Sequence, residues 1–217
     1  MINEHLRPHL TDEDIQNRLQ SRDMIRGRSI DSYALLGVDI GNLAVQKVQE
    51  KGSFVWYDMC CGDFHAAGGL IDNLHWGTPE EKAIIPQLKL NGIDLDTVFP
   101  GRDEMRGRTI ERANVATYDL PSTVDLVTSF RGLCYVEEYM GLGLETIERW
   151  YNAMPIGATM AVDLFGNKRL EDPTIHSYLN TRFRENTVRI NGDYILGTDA
   201  LALKIVKPNA APLSIPK

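Results

Sequence analysis

Residues 53 to 65 read Ser-Phe-Val-Trp-Tyr-Asp-Met-Cys-Cys-Gly-Asp-Phe-His, a buried strand that runs straight into a tight turn, and this junction constrains the whole chain. Phe54 to Tyr57 have the aromatic and β-branched composition of a strand covered on both faces in a parallel sheet. Asp58 then sets a carboxylate at its carboxyl end. Cys60, Cys61 and Gly62 are small enough for a ligand to approach the backbone, and Gly62 can take a positive φ. The stretch from Phe64 to Leu74 reads as a helix. In an open α/β sheet, ligands bind beyond the carboxyl ends of the strands, near the amino end of such a helix.

The chain of 217 residues is one domain's worth and buries roughly 70–75% of its unfolded surface. Charged residues at 24% and hydrophobic residues at 43% describe a globular protein, and no apolar run approaches the ~20 residues of a membrane span. Residues 1–14 are polar, without an apolar segment suited to secretion, so a cytoplasmic location is expected. Three cysteines, two of them adjacent, favour reduced thiols over a disulfide framework. The net charge of −7 opposes binding to phosphate backbones, which disfavours nucleic acid as a partner. No metal site is expected, because adjacent Cys60 and Cys61 chelate poorly at tetrahedral geometry.

Along the chain, residues 1–50 lack strand alternation and read as two or three helices capping the sheet. Tyr33 can supply a lid aromatic over a pocket or pack beneath this cap. Thr78, Pro79 and Glu81 spell a capped helix start. Further strands are expected at 87–93, 113–118, 124–130 and 159–165, with helices at 143–154 and from Asp172. The segments 186–190 and 200–206 read as an antiparallel pair. Strands alternating with helices and closing on such a pair define an α/β three-layer sandwich. Three units result: a cap at 1–50, the main domain at 51–207, and a loose tail at 208–217.

Three of the first four expected strands end in a carboxylate: Asp58, Asp94 and Asp119. A dinucleotide also sits on a turn after the first strand, but Asp58 beside its pyrophosphate would repel it. A cationic ligand suits the position. S-adenosylmethionine carries a sulfonium and an ammonium group and no phosphate, and Asp94 is placed to accept hydrogen bonds from ribose hydroxyls. At these residues the chain resembles the class I S-adenosylmethionine-dependent methyltransferases, over roughly residues 50–207. Asp58-Met59-Cys60-Cys61-Gly62-Asp63-Phe64 is similar to their first motif, Asn91 to Leu95 to the second, and Tyr118 to Pro121 to the segment beside the adenine. Residues 124–130 resemble the fourth strand, whose end faces the transferred methyl.

The resemblance implies a Rossmann-like, mostly parallel sheet of seven strands with the last antiparallel. It also implies S-adenosylmethionine held by Asp58, Cys60, Cys61, Gly62, Phe64, Asp94, Leu95, Asp119, Leu120 and Phe130. The sequence departs from the pattern where Cys60 replaces the first glycine and Phe64 the third, and where an insertion near 73–85 is expected to lie by the pocket. Methyl transfer from a sulfonium is an in-line displacement that positioning alone can accelerate strongly. Should a base be needed, His65, Tyr135 and Glu137 are candidates by position. The expected activity is methyl transfer to a small-molecule acceptor, since no polymer-binding module is visible. Two alternatives are a protein of this fold that keeps the cofactor without transferring methyl or catalyses another reaction on a bound small molecule, and a degenerate fold acting as a binding or scaffold subunit. Cys60 or Cys61 as a thiolate nucleophile is a further reading, opposed by Asp58 and Asp63.

Overall fold

A computed structural model describes residues 29–95, 108–164, 172–182, 187–190 and 200–216. The strands are β1 (Phe54–Met59), β2 (Leu88–Asp94), β3 (Arg108–Arg112), β4 (Leu126–Ser129), β5 (Thr159–Asp163), β6 (Thr187–Ile190) and β7 (Ala200–Val206). They form one mixed sheet in the order β3-β2-β1-β4-β5-β7-β6. The β1, β2, β3, β4 and β5 pairings are parallel, and β7 runs antiparallel to both β5 and β6. The order reverses between β1 and β4, so a crevice opens at the carboxyl ends of those two strands.

A 3-10 helix (Ile30–Leu36) and helix α1 (Ile40–Lys51) precede the sheet; α2 (His65–Trp76) and the short α3 (Pro79–Ala83) connect β1 to β2. Helices α4 (Leu133–Met140) and α5 (Gly143–Ala153) follow β4, and α6 (Pro173–Arg182) follows β5. Period-two alternation divides the sheet's side chains between two cores. Phe54 and Trp56 meet Tyr33, Leu36 and Leu70 on one face. Met59, Val127 and Met160 meet Ile147, Trp150 and Leu203 on the other. The three-layer sandwich with its mostly parallel sheet is as expected.

Several boundaries differ. The third strand lies at Arg108–Arg112 rather than 113–118, because Asn114 turns the chain: its side chain accepts from the Ala116 amide at 3.0 Å and its carbonyl from the Thr117 amide at 3.1 Å. The charged composition of β3 suits an edge strand whose side chains are largely exposed. Val115 and Ala116, apolar enough to suggest a strand, are instead a buried loop against α5, where Trp150 Nε1 donates to the Val115 carbonyl at 3.2 Å. The insertion at 73–85 is the end of α2 and α3, with the expected capping box on Thr78 and Glu81. Since α2 starts at the turn after β1 and runs back along the sheet for about 18 Å, this insertion lies at the amino ends of the strands, away from the crevice.

The tail expected to be loose is docked. Leu213 and Ile215 are buried beside α5, where Asn152 brackets the Leu213 backbone with hydrogen bonds of 3.1 and 2.8 Å. Beside it, Lys207 Nζ donates to the carbonyls of Tyr151, Asn152 and Met154, tying off the carboxyl end of α5. The expected helices before residue 29 lie outside the described residues, as does Phe165, the last residue of the strand expected at 159–165. Among the described residues, no helix is long and apolar enough to cross a membrane.

Candidate functional site

The turn after β1 is built by alternating backbone signs. Cys60, Gly62 and Phe64 have φ of 61°, 58° and 49°, so the left-handed conformation recurs at every second residue. Two of these are not glycine, and such positions persist only where the surroundings hold them. The surroundings do so from β2: the amides of Cys60 and Cys61 donate to the Ile93 carbonyl at 2.7 and 3.3 Å, and the Gly62 amide donates to Asp94 Oδ2 at 2.8 Å. Arg108 Nη1 donates to the Phe64 carbonyl at 2.8 Å, just before α2 begins.

The side chains that replace the expected glycines are accommodated by glycines elsewhere. A Cβ on Gly132 would lie 2.3 Å from Cys60 Cβ and 2.7 Å from Cys60 Sγ. A Cβ on Gly92 would lie 2.5 Å from Cys61 Sγ and 3.0 Å from the Phe64 ring. The bulk added to the turn at Cys60 and Cys61 is thus removed from the strands facing it. Phe64 itself points into the core, fully buried, its ring edge-on to Trp56 at 5.1 Å. It stacks on no ligand side.

Asp58 is 1% exposed, and both of its oxygens are engaged by hydroxyls, Tyr33 on Oδ2 and Thr128 on Oδ1, each at 2.6 Å. Trp56 Nε1 donates in turn to Thr128 Oγ1 at 2.8 Å. Burial pushes the Asp58 carboxyl up to about 7; the Thr128 and Tyr33 hydroxyls oppose the shift and the Asp94 charge adds to it. Tyr33 is therefore packed beneath the cap, the second of its two expected positions.

Burial also raises the Cys60 thiol well above its ordinary value, followed by Asp94, Cys134, Asp58 and Asp163. Cys61 is raised in the same way, burial first and then Asp94 and Asp58. Both are neutral thiols at physiological pH, so the geometry offers no thiolate nucleophile. Asp94 and Asp163, at the carboxyl ends of β2 and β5, bring negative charge to the crevice around Cys60, and Asp58 at the end of β1 adds to it as it ionises through the neutral range.

Leu95, just beyond β2, packs with Tyr135, Tyr139 and Met140 of α4. The two tyrosine rings are parallel with centroids 6.3 Å apart, and Asn114 Nδ2 reaches Met140 Sδ at 3.8 Å. Of this aromatic wall the sequence singles out only Tyr135, as a base candidate, and not Tyr139, Met140 or Asn114. The spacing of Leu133, Val136 and Met140 was the available signal for α4. Glu137 is 9% exposed and accepts from the Gly143 amide at 2.9 Å, so it ties α4 to α5. His65 is exposed at the start of α2, its amide on Asp63 Oδ1 at 3.1 Å.

Asp119 is not drawn into this group. Its side chain is 97% exposed and faces Arg149 Nη1 at 3.9 Å, because the loop after β3 passes over the α5 face, where Tyr118 meets Tyr57 and Leu120 enters the core, leaving Asp119 to point outward. Leu120 is buried in the core on the α5 side. Phe130, following β4, packs toward the cap with its ring 6.1 Å from that of Tyr33.

No family model matches the chain, and no curated protein matches it by sequence. Solved structures do. A Listeria monocytogenes protein assigned to the class I S-adenosylmethionine-dependent methyltransferases superposes with a TM-score of 0.53 at 14% identity, over 96% of this chain and 72% of its own. Phosphoethanolamine N-methyltransferase 2 of Haemonchus contortus, bound to phosphomonomethylethanolamine and S-adenosylhomocysteine, gives 0.52 at 12% identity, over 92% and 61%. The plantazolicin methyltransferase BpumL, bound to a monoazolic desmethyl analogue and S-adenosylhomocysteine, gives 0.50 at 10%, over 91% and 90%. The fold of this chain is that of the class I S-adenosylmethionine-dependent methyltransferases.

Proposed function

We propose that the chain is an S-adenosylmethionine-dependent methyltransferase acting on a small-molecule acceptor. The observation that carries this reading is the turn at the sheet's switch point, where Asp94 and Asp163 stand around Cys60 with Asp58 beneath it, and where Cys60, Cys61 and Gly62 place no long side chain. A pyrophosphate would meet repulsion there, whereas a sulfonium and an ammonium group meet the opposite charge. The residues fit the cofactor in a second way: Gly132 and Gly92 open the space that Cys60 and Cys61 take, so the turn closes without clash.

When bound, the cofactor supplies an activated methyl group. Asp94 would hold its ribose, the turn from Cys60 to Gly62 would cradle its amino-acid end, and Leu95 with the Tyr135 and Tyr139 wall would flank its base. Asp58 supports the turn from beneath. The Ser129 to Gly132 segment at the end of β4 would border the acceptor. The chain's contribution is orientation and exclusion of water, worth up to ~7–11 kcal/mol in well-positioned systems. His65, exposed at the rim, is the base candidate with freedom to reach an acceptor; Glu137 is committed to the Gly143 amide.

Calorimetric titration with S-adenosylmethionine and S-adenosylhomocysteine tests the reading. Micromolar binding of both is expected; no binding of either at millimolar concentration leaves the scaffold alternative standing.

A further inference from the structure

Within the reading above, Tyr33 occupies a position that the cofactor turn does not explain by itself. It belongs to the 3-10 helix of the cap, yet its hydroxyl donates to the carboxylate of Asp58, the strand-end residue from which the turn departs. Its ring is edge-on to Trp56 at 5.7 Å, and Trp56 in turn holds Phe64, the turn's last residue, and donates to Thr128. The same ring lies 6.1 Å from Phe130, the residue that follows β4. One cap residue therefore touches the start of the turn directly, its end through Trp56, and the neighbouring strand end.

We propose that Tyr33 is a positioning residue that couples docking of the amino-terminal cap to cofactor binding, its hydroxyl on Asp58 being the link. The turn holds two non-glycine residues in the left-handed region, at Cys60 and Phe64, and their conformation must be fixed from outside. The Ile93 carbonyl and Asp94 fix it from β2; Tyr33 fixes it from the cap. A docked cap keeps Asp58 and Trp56 in register and the turn ready for a ligand, so ordering either element favours the other.

Ionisation of Asp58 enters because an ionised carboxylate accepts both hydroxyl protons, whereas a protonated one accepts fewer. The titratable groups facing it are Tyr33 from the cap, Asp94 from β2, and Cys60 and Cys61 from the turn; β4 presents the Thr128 hydroxyl. Cofactor affinity should thus rise as pH increases through the neutral range, where Asp58 loses its proton.

The test uses the full chain and S-adenosylhomocysteine. Tyr33→Phe keeps the ring and removes the donor. Its affinity measured by calorimetry is expected to fall about tenfold, the factor carried by one hydrogen bond to a charged group. By reciprocity, the protection that the ligand confers on amides 30–51 in hydrogen exchange falls by the same factor. The pH midpoint of binding moves upward. Thr128→Val also deprives Asp58 of a donor but leaves the Tyr33 hydroxyl on Asp58; it should move the midpoint and leave cap exchange in the unliganded protein as in the wild type. Equal affinity in the wild type and Tyr33→Phe, with unchanged ligand-induced protection, overturns the coupling and leaves the cofactor reading intact. Failure of the wild type to bind overturns both.

Discussion

Gly132→Ala is the perturbation that tests the architecture of the cofactor turn most directly. Gly132 has φ −91° and ψ −42°, which alanine adopts freely, so its effect comes from contact and not from backbone preference. The new Cβ would stand 2.3 Å from Cys60 Cβ, against about 3.5–4.0 Å for an unstrained carbon pair. Cys60 Cβ cannot rotate away, since it is fixed to a backbone held at positive φ by the Ile93 carbonyl. The overlap must be relieved by moving the turn or α4, at the upper end of the ~1–3 kcal/mol typical of overpacking.

Removing the obstacle should remove most of the penalty. In a Cys60→Gly background the nearest neighbour left is Ser129 Oγ at 2.6 Å, the end of a side chain that can change rotamer. There Gly132→Ala should cost about 1 kcal/mol, leaving a coupling energy near 2 kcal/mol, within the range for residues in contact. Urea denaturation followed by the fluorescence of buried Trp56 and Trp150 reads all four corners of the cycle. S-adenosylhomocysteine titration should show binding weakened in Gly132→Ala and recovered in the double variant. A Gly132→Ala penalty equal in both backgrounds within about 0.5 kcal/mol would refute the exchange of bulk between turn and strand.

Lys207→Met should destabilise the fold by about 3 kcal/mol, since three carbonyls at the end of α5 lose a charged donor and the Tyr151 ring loses its cation at 5.1 Å; a melting temperature lowered by less than about 2 °C would count against it. Asp94→Asn keeps an acceptor for the Gly62 amide but removes charge from the crevice floor, so binding of S-adenosylmethionine should weaken about tenfold or more in calorimetry. Asp58 is raised from 3.8 to about 7 in the fold. Between those values the unfolded chain releases a proton that the folded one keeps, so this residue's contribution to stability falls as pH rises and is fully lost above about 7. Relative to wild type, Asp58→Asn should therefore gain on the order of 4 kcal/mol between pH 4 and 8; a pH-independent difference in urea stability would contradict the burial of an ionisable acid there.

The sequence by itself determined the layered α/β class, most strand and helix positions, and the turn after β1. These are set by local properties: an apolar strand, a carboxylate at its end, small residues behind it, and helical spacing between successive strands. It left Tyr33 with two positions, over a pocket or beneath the cap, between which the fold chose the second. It misplaced β3, because Arg108 to Arg112 has a surface composition that suits an edge strand as well as a loop, while Val115 and Ala116 are apolar for packing against α5. Asp119 was drawn to the site by the same error. Only the tertiary structure decided that Gly132 and Gly92 stand opposite Cys60 and Cys61, that Tyr33 reaches Asp58 across 25 residues, and that the tail docks on Asn152. Each of these is a contact between segments distant in sequence. Such contacts depend on how β1, β2 and β4 are laid side by side, and no periodicity within one segment encodes its neighbour's register.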